Sequence, residues 1–119
     1  MNRDEIAAEL ERRIGRIAVE RHRQHTFGGF VPLPEERSIE LGIYERAYLW
    51  AHKLLTNRNT FDEQVSKAFL VNGAHGVVRQ YETAISWGNA EADKQNAQHI
   101  AAYKEIVPLF ESLVESEDA

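Results

Sequence analysis

The sequence contains no cysteine, only three prolines and no long run of apolar residues. The missing cysteines exclude disulfide bonds, thiolate metal ligands and a cysteine nucleophile. A membrane-spanning helix needs about 20 consecutive apolar residues, and the first five residues lack the apolar stretch of a secretory signal. We therefore expect a soluble, cytoplasmic protein whose 119 residues form one domain, residues 1–119.

Charge is distributed unevenly along the chain, whose formal net charge is −5. Basic residues outnumber acidic ones ten to nine through Arg58, whereas acidic residues outnumber basic ones ten to four from Asn59 onward. Binding to a phosphate backbone needs clustered Lys and Arg side chains. We therefore do not expect a nucleic-acid partner.

The apolar residues recur at the three- and four-residue spacing of amphipathic helices. This spacing predicts a first helix over about residues 4–23, a second over about residues 38–56, a third, and a fourth that contains Pro108. No segment alternates between apolar and polar residues as a strand does. We therefore expect an all-α fold, a four-helix antiparallel bundle with a Gly/Pro loop between helices 1 and 2.

The third helix has a clear start signal and an ambiguous middle. Thr60 and Glu63 have the spacing of a capping box, so the helix is expected to begin at Phe61. Gly73 and Gly76 then interrupt the pattern, and each interior glycine costs about 0.5–1 kcal/mol relative to alanine. The two glycines indicate either close helix packing or a break, and we favour a helix that continues through them. Its apolar face is expected to comprise Phe61, Val65, Ala68, Phe69, Val78, Tyr81, Ala84 and Ile85.

Glycine and proline cluster in residues 25–34, which read His-Thr-Phe-Gly-Gly-Phe-Val-Pro-Leu-Pro. The cluster ends helix 1 and predicts a loop, and loops held on a rigid scaffold commonly carry binding residues. The residues that we expect to contact a partner here are His25, Phe27, Gly28, Gly29 and Phe30.

Helix 2 contains three large aromatic residues that cannot all face the same side. Tyr44 and Tyr48 lie four positions apart and share one helix face, whereas Trp50 lies on another. An exposed large aromatic residue often marks a protein interface, so Trp50 is a candidate partner-binding residue. The alternative is that helix 2 is central in the bundle and buried on all sides.

Two pairs of residues suggest chemistry of their own. His22 and His25 are three positions apart, but the Glu-x-x-His and His-Glu-x-x-His motifs of helical metal sites are absent, so no metal or other cofactor is expected.

Arg46 and His52 have the spacing of the Arg-x(4–6)-His motif and resemble HEPN-type ribonucleases, which are small helical bundles. That resemblance implies that Arg46 stabilises a phosphorane and that His52 acts as acid or base.

Several short segments also match parts of a second family. They are His25-Thr26-Phe27-Gly28-Gly29, Pro32, Glu35-Glu36, Tyr44-Glu45, Phe61-Asp62-Glu63 and the helix from Tyr103 to Leu113. Together they resemble the helical N-terminal region of the β-type subunits of nitrile hydratase and thiocyanate hydrolase. Those subunits have a His-Asp-x-Gly-Gly arm, an acidic stretch, a Trp-Glu helix and an Asp-Glu helix. In this chain Thr26 replaces the Asp, Tyr44 replaces the Trp, and a long insertion separates Glu63 from Tyr103.

This resemblance implies a catalytic partner instead of a catalytic site on this chain. The β-type subunit embraces a metal-bearing α-type subunit, over which the Gly-Gly arm would extend. Val65 stands where the family has an arginine that supports the oxidised metal ligands of the partner. Any metal would therefore belong to the partner subunit.

The function that we expect is a non-catalytic helical subunit or adaptor that binds another protein or a second copy of itself. One alternative is a HEPN-like ribonuclease that acts as a dimer and uses Arg46 and His52. Another is a small helical subunit of an RNA-guided interference complex, which the segment from Asn72-Gly73 to Tyr81 resembles. The acidic net charge argues against the latter.

Overall fold

The computed structural model describes residues 1–26, 34–57, 64–84 and 88–114, with the side chains of residues 22–26 left out. Over these residues it contains four helices and no strand. The helices are α1 (Arg3–Thr26), α2 (Glu35–Thr56), α3 (Lys67–Glu82) and α4 (Ala90–Glu111). The expected all-α four-helix bundle is confirmed, and the predicted Gly/Pro loop between α1 and α2 lies outside the described residues.

A capping box begins α1. The amide of Glu5 donates to Asn2 Oδ1 at 2.8 Å, and the amide of Asn2 donates to Glu5 Oε1 at 2.9 Å. Each side chain therefore satisfies an amide that the first helical turn leaves without an intrahelical partner. The helix continues to Thr26, beyond the predicted end near residue 23.

The predicted start of the third helix is wrong, because α3 begins at Lys67. Ser66 has an extended backbone, and its hydroxyl accepts a hydrogen bond from the amide of Phe69 at 3.2 Å. Serine is a favoured N-cap residue, and this contact fixes the helix start there. The predicted capping box of Thr60 and Glu63 lies outside the described residues.

As expected, α3 runs without a break through Gly73 and Gly76. A Cβ atom on Gly73 would lie 3.9 Å from side-chain carbons of Leu54 and Trp50. A methyl group at this position would therefore be in ordinary van der Waals contact with α2. Gly76 has no such neighbour within 4 Å.

The predicted apolar face of the third helix is partly wrong. The buried residues are Leu70, Ala74 and Val78, whereas Phe69 is 59% exposed. Leu70, Ala74 and Val78 are spaced by four residues and face α4, and Phe69 precedes Leu70 by one residue, which turns it about 100° away. The helix also ends at Glu82, so Ala84 follows it outside the helical turns.

The helix pairs α1/α2 and α3/α4 each pack antiparallel. Between α1 and α2, Arg21 pairs with Glu45 and Glu11 contacts His52 near the opposite end. Between α3 and α4, the rings of Tyr81 and His99 stack with centroids 4.4 Å apart. The chain therefore forms two helical hairpins, α1 with α2 and α3 with α4.

The two hairpins join through α2 and α4, which run parallel. Lys94 binds Glu36 at 2.6 Å near the N-terminal ends of the two helices, and the rings of Trp50 and Phe110 lie 6.3 Å apart further along. The principal helix contacts are α1 with α2, α2 with α4, and α4 with α3. The core therefore lies around α2 and α4, with α1 and α3 on either side. The core residues are Ile6, Leu10, Ile17, Leu41, Ile43, Ala47, Tyr48, Ala51, Leu55, Leu70, Ala74, Ala102, Ile106, Val107, Leu109, Phe110 and Leu113.

Candidate functional site

An open groove with a volume of about 890 Å³ lies between α1 and α4, above α2. Its walls and floor are side chains at helical spacing on each of the three helices, so each helix presents one continuous face to it. The groove is lined by residues of all three helices: Arg13, Arg16, Ile17 and Glu20 of α1, Arg37, Glu40, Leu41, Tyr44 and Tyr48 of α2, and Glu105, Pro108, Leu109 and Ser112 of α4. We call this feature the α1/α2/α4 groove.

A polar cluster crosses the middle of the groove. The hydroxyl of buried Tyr48 donates to Glu105 Oε2 at 2.6 Å, and the Arg13 guanidinium lies 5.6 Å from the centre of the Tyr48 ring. Arg13 Nη1 is also 3.8 Å from Glu105 Oε2. Burial and the hydrogen bond to the Glu105 carboxylate raise the pKa of Tyr48 above its usual range. Tyr48 therefore remains protonated and donates to α4.

A second polar cluster closes one end of the groove. Arg37 Nε and Nη2 each donate at 2.8 Å to the two carboxylate oxygens of Glu20, and Nη1 donates to Glu40. The two parallel bonds form the forked geometry that arginine and carboxylate favour. The hydrogen bond from Arg37 lowers the pKa of Glu20. Both carboxylates at this end are therefore occupied by one guanidinium.

Two hydrogen-bond donors of the groove have no acceptor within the described residues. Arg16 is exposed and makes no hydrogen bond or close ion pair there, although its charge makes a small contribution to lowering the pKa of Glu9. Tyr44 is partly buried, and its hydroxyl makes no hydrogen bond to a described residue. Burial, followed by the charges of Glu105 and Glu40, raises the pKa of Tyr44. Its hydroxyl is therefore a neutral donor.

Trp50 does not stand free on the surface. Its ring meets Tyr103 edge-on at 5.3 Å between centroids and lies 6.3 Å from Phe110. Trp50 is partly buried and packs against the core. The expectation that Trp50 is an exposed aromatic residue is therefore wrong, and α2 is not buried on all sides either, since the neighbouring Leu49 is 49% exposed.

Arg46 and His52 diverge on α2. Residues six positions apart in a helix point about 120° away from each other. His52 Nε2 is 3.0 Å from Glu11 Oε1 on α1, whereas the charge of Arg46 reaches His99 on α4. The structure therefore does not bring the two residues of the ribonuclease motif together within one chain.

The partner-binding residues predicted from the Gly/Pro segment cannot be located. Phe27, Gly28, Gly29 and Phe30 lie outside the described residues, and of His25 only the backbone, in α1, is described. The side chains of His22 and His25 are likewise outside the description. Among the residues that are described, no three His, Asp or Glu side chains form a group that could hold a metal ion.

His99 lies between α2 and α3 in a position that disfavours its charged form. Its ring is parallel to Tyr81, at an interplanar angle of 1°. Burial first, and the charge of Arg46 second, lower the pKa of His99 below its ordinary value of 6.5. The folded protein therefore holds this side chain neutral near pH 7.

We expect the folded protein to lose stability as the pH falls below about 6.5, because the unfolded chain binds a proton at His99 before the folded chain does. Replacing His99 with Phe retains the stack on Tyr81 and removes this proton. The variant should therefore lose less free energy of unfolding than the wild type between pH 7 and pH 5, as measured by urea unfolding at each pH. Equal losses in both proteins would contradict this assignment.

Comparison with known protein families, characterised proteins and solved structures finds no match to this chain. None of the described helices is both long enough and apolar enough to cross a membrane. The groove is therefore assessed from its own geometry.

The apolar spacing in the sequence predicts the helices that carry the groove residues, but it does not predict the groove. The spacing of Arg13, Arg16 and Glu20 on α1 is visible in the sequence, as is that of Tyr44 and Tyr48 on α2. The sequence does not reveal that α2 contacts α4, and it is this contact that brings the three helix faces together around the groove.

Proposed function

We propose that this chain is a non-catalytic, cytoplasmic helical subunit or adaptor that holds one helix of a partner protein in the α1/α2/α4 groove. The single observation that supports this most is the arrangement of the three helices. α1 and α4 both pack on α2, and α3 packs on the side of α4 that faces away from the groove, so no fourth helix of the described residues covers the groove.

The position of α3 follows from the faces of α4. Tyr103 is near Tyr81 of α3, and Glu105 is near Arg13 of α1. Residues two positions apart in a helix point about 160° away from each other. α3 therefore leaves the α1 side of α4 uncovered.

The size and lining of the groove suit a helix. The groove is open along one side and is lined over about two helical turns of α1, from Arg13 to Glu20, and of α4, from Glu105 to Ser112. The floor contains Ile17, Leu41 and Leu109, which are 4–9% exposed, and arginine and glutamate side chains line the edges. The insertion of a helix into a groove is a recurrent mode of protein recognition.

No observation favours the ribonuclease alternative, since Arg46 and His52 lie on different faces of α2. The resemblance to β-type subunits makes a metal-bearing α-type subunit the first partner to look for. A second copy of this chain is another possible source of the helix, and both are outcomes of the experiment below.

Replacing Arg16 with tryptophan is expected to block the groove and to weaken partner binding by about tenfold or more, which is about 1.4 kcal/mol. Arg16 is exposed, so the fold should tolerate the change. Tagged wild-type and variant proteins would be used to capture partners from native cell extract. The captured partner would then be purified for a titration against each protein.

The matched control is Arg12→Trp. Arg12 lies one turn earlier on α1, its side chain is 58% exposed, and it does not line the groove. Support requires one partner that binds the wild type and Arg12→Trp equally and Arg16→Trp weakly. A partner that binds all three proteins equally, or recovery of RNA without protein, would contradict docking in the groove.

A further inference from the structure

A cluster of aromatic rings lies where α2, α3 and α4 meet, on the opposite side of the bundle from the α1/α2/α4 groove. The Tyr81 ring of α3 stacks on His99 of α4, with centroids 4.4 Å apart, and lies 6.2 Å from the Tyr103 ring. Tyr103 in turn meets the Trp50 ring of α2 at 5.3 Å. Because the ring faces pack on one another, the cluster presents the polar edges of its rings to a ligand.

Arg46 of α2 lies beside this cluster. α2 and α4 run parallel, and the contact of Trp50 with Tyr103 fixes which turns of the two helices are neighbours. Arg46 precedes Trp50 by four residues, and His99 precedes Tyr103 by four residues. Residues four apart share a helix face, so Arg46 and His99 are neighbours one turn earlier on both helices. Burial and then the charge of Arg46 lower the pKa of His99, in agreement with this position.

The polar groups of the cluster have no partner within the described residues. Arg46 is exposed and makes no ion pair there, and neither Tyr81 nor His99 makes a hydrogen bond there. No described carboxylate contributes to the pKa shift of His99, or to that of Tyr103, which burial and then Tyr81 raise. The three helices therefore bring together a guanidinium, an imidazole and a phenol, and no acidic side chain competes for them.

Three donor groups on three helices suit a tetrahedral anion. Arginine binds phosphate through two parallel N–H···O bonds. The Tyr81 and His99 rings are 4.4 Å apart, so one group that accepts hydrogen bonds at about 2.8 Å can span their edges. A carboxylate has its acceptors in one plane, whereas the oxygens of phosphate also face donors that approach from a third side.

We infer that Arg46, Tyr81 and His99 form a binding site for a phosphate group. Arg46 supplies the charge, and the Tyr81 hydroxyl and an N–H of the His99 ring donate hydrogen bonds to the remaining oxygens. An anion between Arg46 and His99 also favours the charged form of the imidazole. Binding therefore takes up a proton, and the affinity rises as the pH falls below the pKa of His99 in the complex. The other groups that face His99, Tyr81 of α3 and Tyr103 of α4, remain neutral phenols in this pH range.

Sulfate is the probe for the pH dependence, because it is tetrahedral and its charge stays constant between pH 5 and pH 8. It would be titrated into the isotope-labelled full-length chain at constant ionic strength and followed by NMR. We expect saturable amide shifts at Arg46, Tyr81 and His99, tighter binding at pH 5.5 than at pH 7.5, and a higher pKa of His99 at saturating sulfate. His99→Phe retains the stack and should remove the pH dependence of binding.

Charge and hydroxyl are tested by two variants and a matched control. Arg46→Gln should weaken sulfate binding by about tenfold, and Tyr81→Phe, which retains the ring, by about threefold or more. The control is Arg79→Gln, which removes the same charge from an exposed position of α3. Arg79 lies two residues from Tyr81 and points about 160° away from it, so this variant should bind sulfate as the wild type does.

The source of the phosphate group follows from a comparison of inorganic phosphate with methyl phosphate. Equal binding of the two would show that the site accepts a phosphate ester, and binding of inorganic phosphate alone would show a site for the free ion. Equal binding of sulfate to the wild type and to Arg46→Gln, shifts that do not saturate, or acetate that binds as tightly as sulfate would overturn the inference. The groove lies on the opposite faces of α2 and α4, so none of these results bears on partner docking.

Discussion

Replacing Trp50 with alanine is expected to lower the free energy of unfolding by about 2–4 kcal/mol, instead of removing a partner. The indole packs against Tyr103 and Phe110, and Gly73 of α3 approaches it closely. Its removal would leave a cavity where α2, α3 and α4 meet. Urea unfolding followed by far-UV circular dichroism measures the loss without depending on tryptophan fluorescence.

Two matched variants sharpen the Trp50 experiment. Leu49 precedes Trp50 and is 49% exposed, so Leu49→Ala should change the free energy of unfolding by at most about 1 kcal/mol. Trp50→Phe retains a ring against Tyr103 and Phe110 and should recover roughly half of the loss. If Trp50→Ala unfolds at the same urea concentration as the wild type, the packing of α2 described above is incorrect.

Replacing Phe110 with alanine is expected to cost about 3–5 kcal/mol of the free energy of unfolding. Phe110 is fully buried, and its ring lies near that of Trp50. This loss is comparable to the whole stability of a marginal domain, so the variant should unfold at much lower urea concentration or fail to fold at 37 °C. The same urea experiment measures it.

Phe69→Ala is the matched comparison, since it makes the same chemical change at a side chain that is 59% exposed. The expected change is within about 1 kcal/mol of zero. The two phenylalanines also test the orientation of α3, because the sequence pattern alone placed Phe69 on the apolar face. Equal losses at the two positions would mean that α3 is rotated relative to the arrangement described here.

The number of helices could be predicted from the sequence because apolar spacing is a local property. The orientation of α3 could not, since apolar residues occur on more than one of its faces and Gly73 carries no side chain to mark the contact with α2. The start of α3 was also misjudged. Thr60 and Glu63 have the spacing of a capping box, yet the N-cap residue of α3 is Ser66.

The candidate site depends on long-range packing and was therefore harder to predict. The faces that line the groove are visible as spacings on α1, α2 and α4. Their convergence requires that α2 and α4 pack side by side and parallel, which no spacing within one helix specifies. Trp50 illustrates the same limit, because its exposure is decided by Tyr103 and Phe110, more than 50 positions away in the chain.

The most direct test of the docking groove is to map the bound partner on the isotope-labelled full-length chain by NMR. On addition of the purified partner captured with the wild-type protein, we expect the largest amide shift changes at Arg13, Arg16, Tyr44 and Leu109, which line the groove, and little change at exposed Phe69 on α3. The largest changes at Phe69 and along α3, with the groove amides unmoved, would contradict the proposal that the α1/α2/α4 groove is the binding surface.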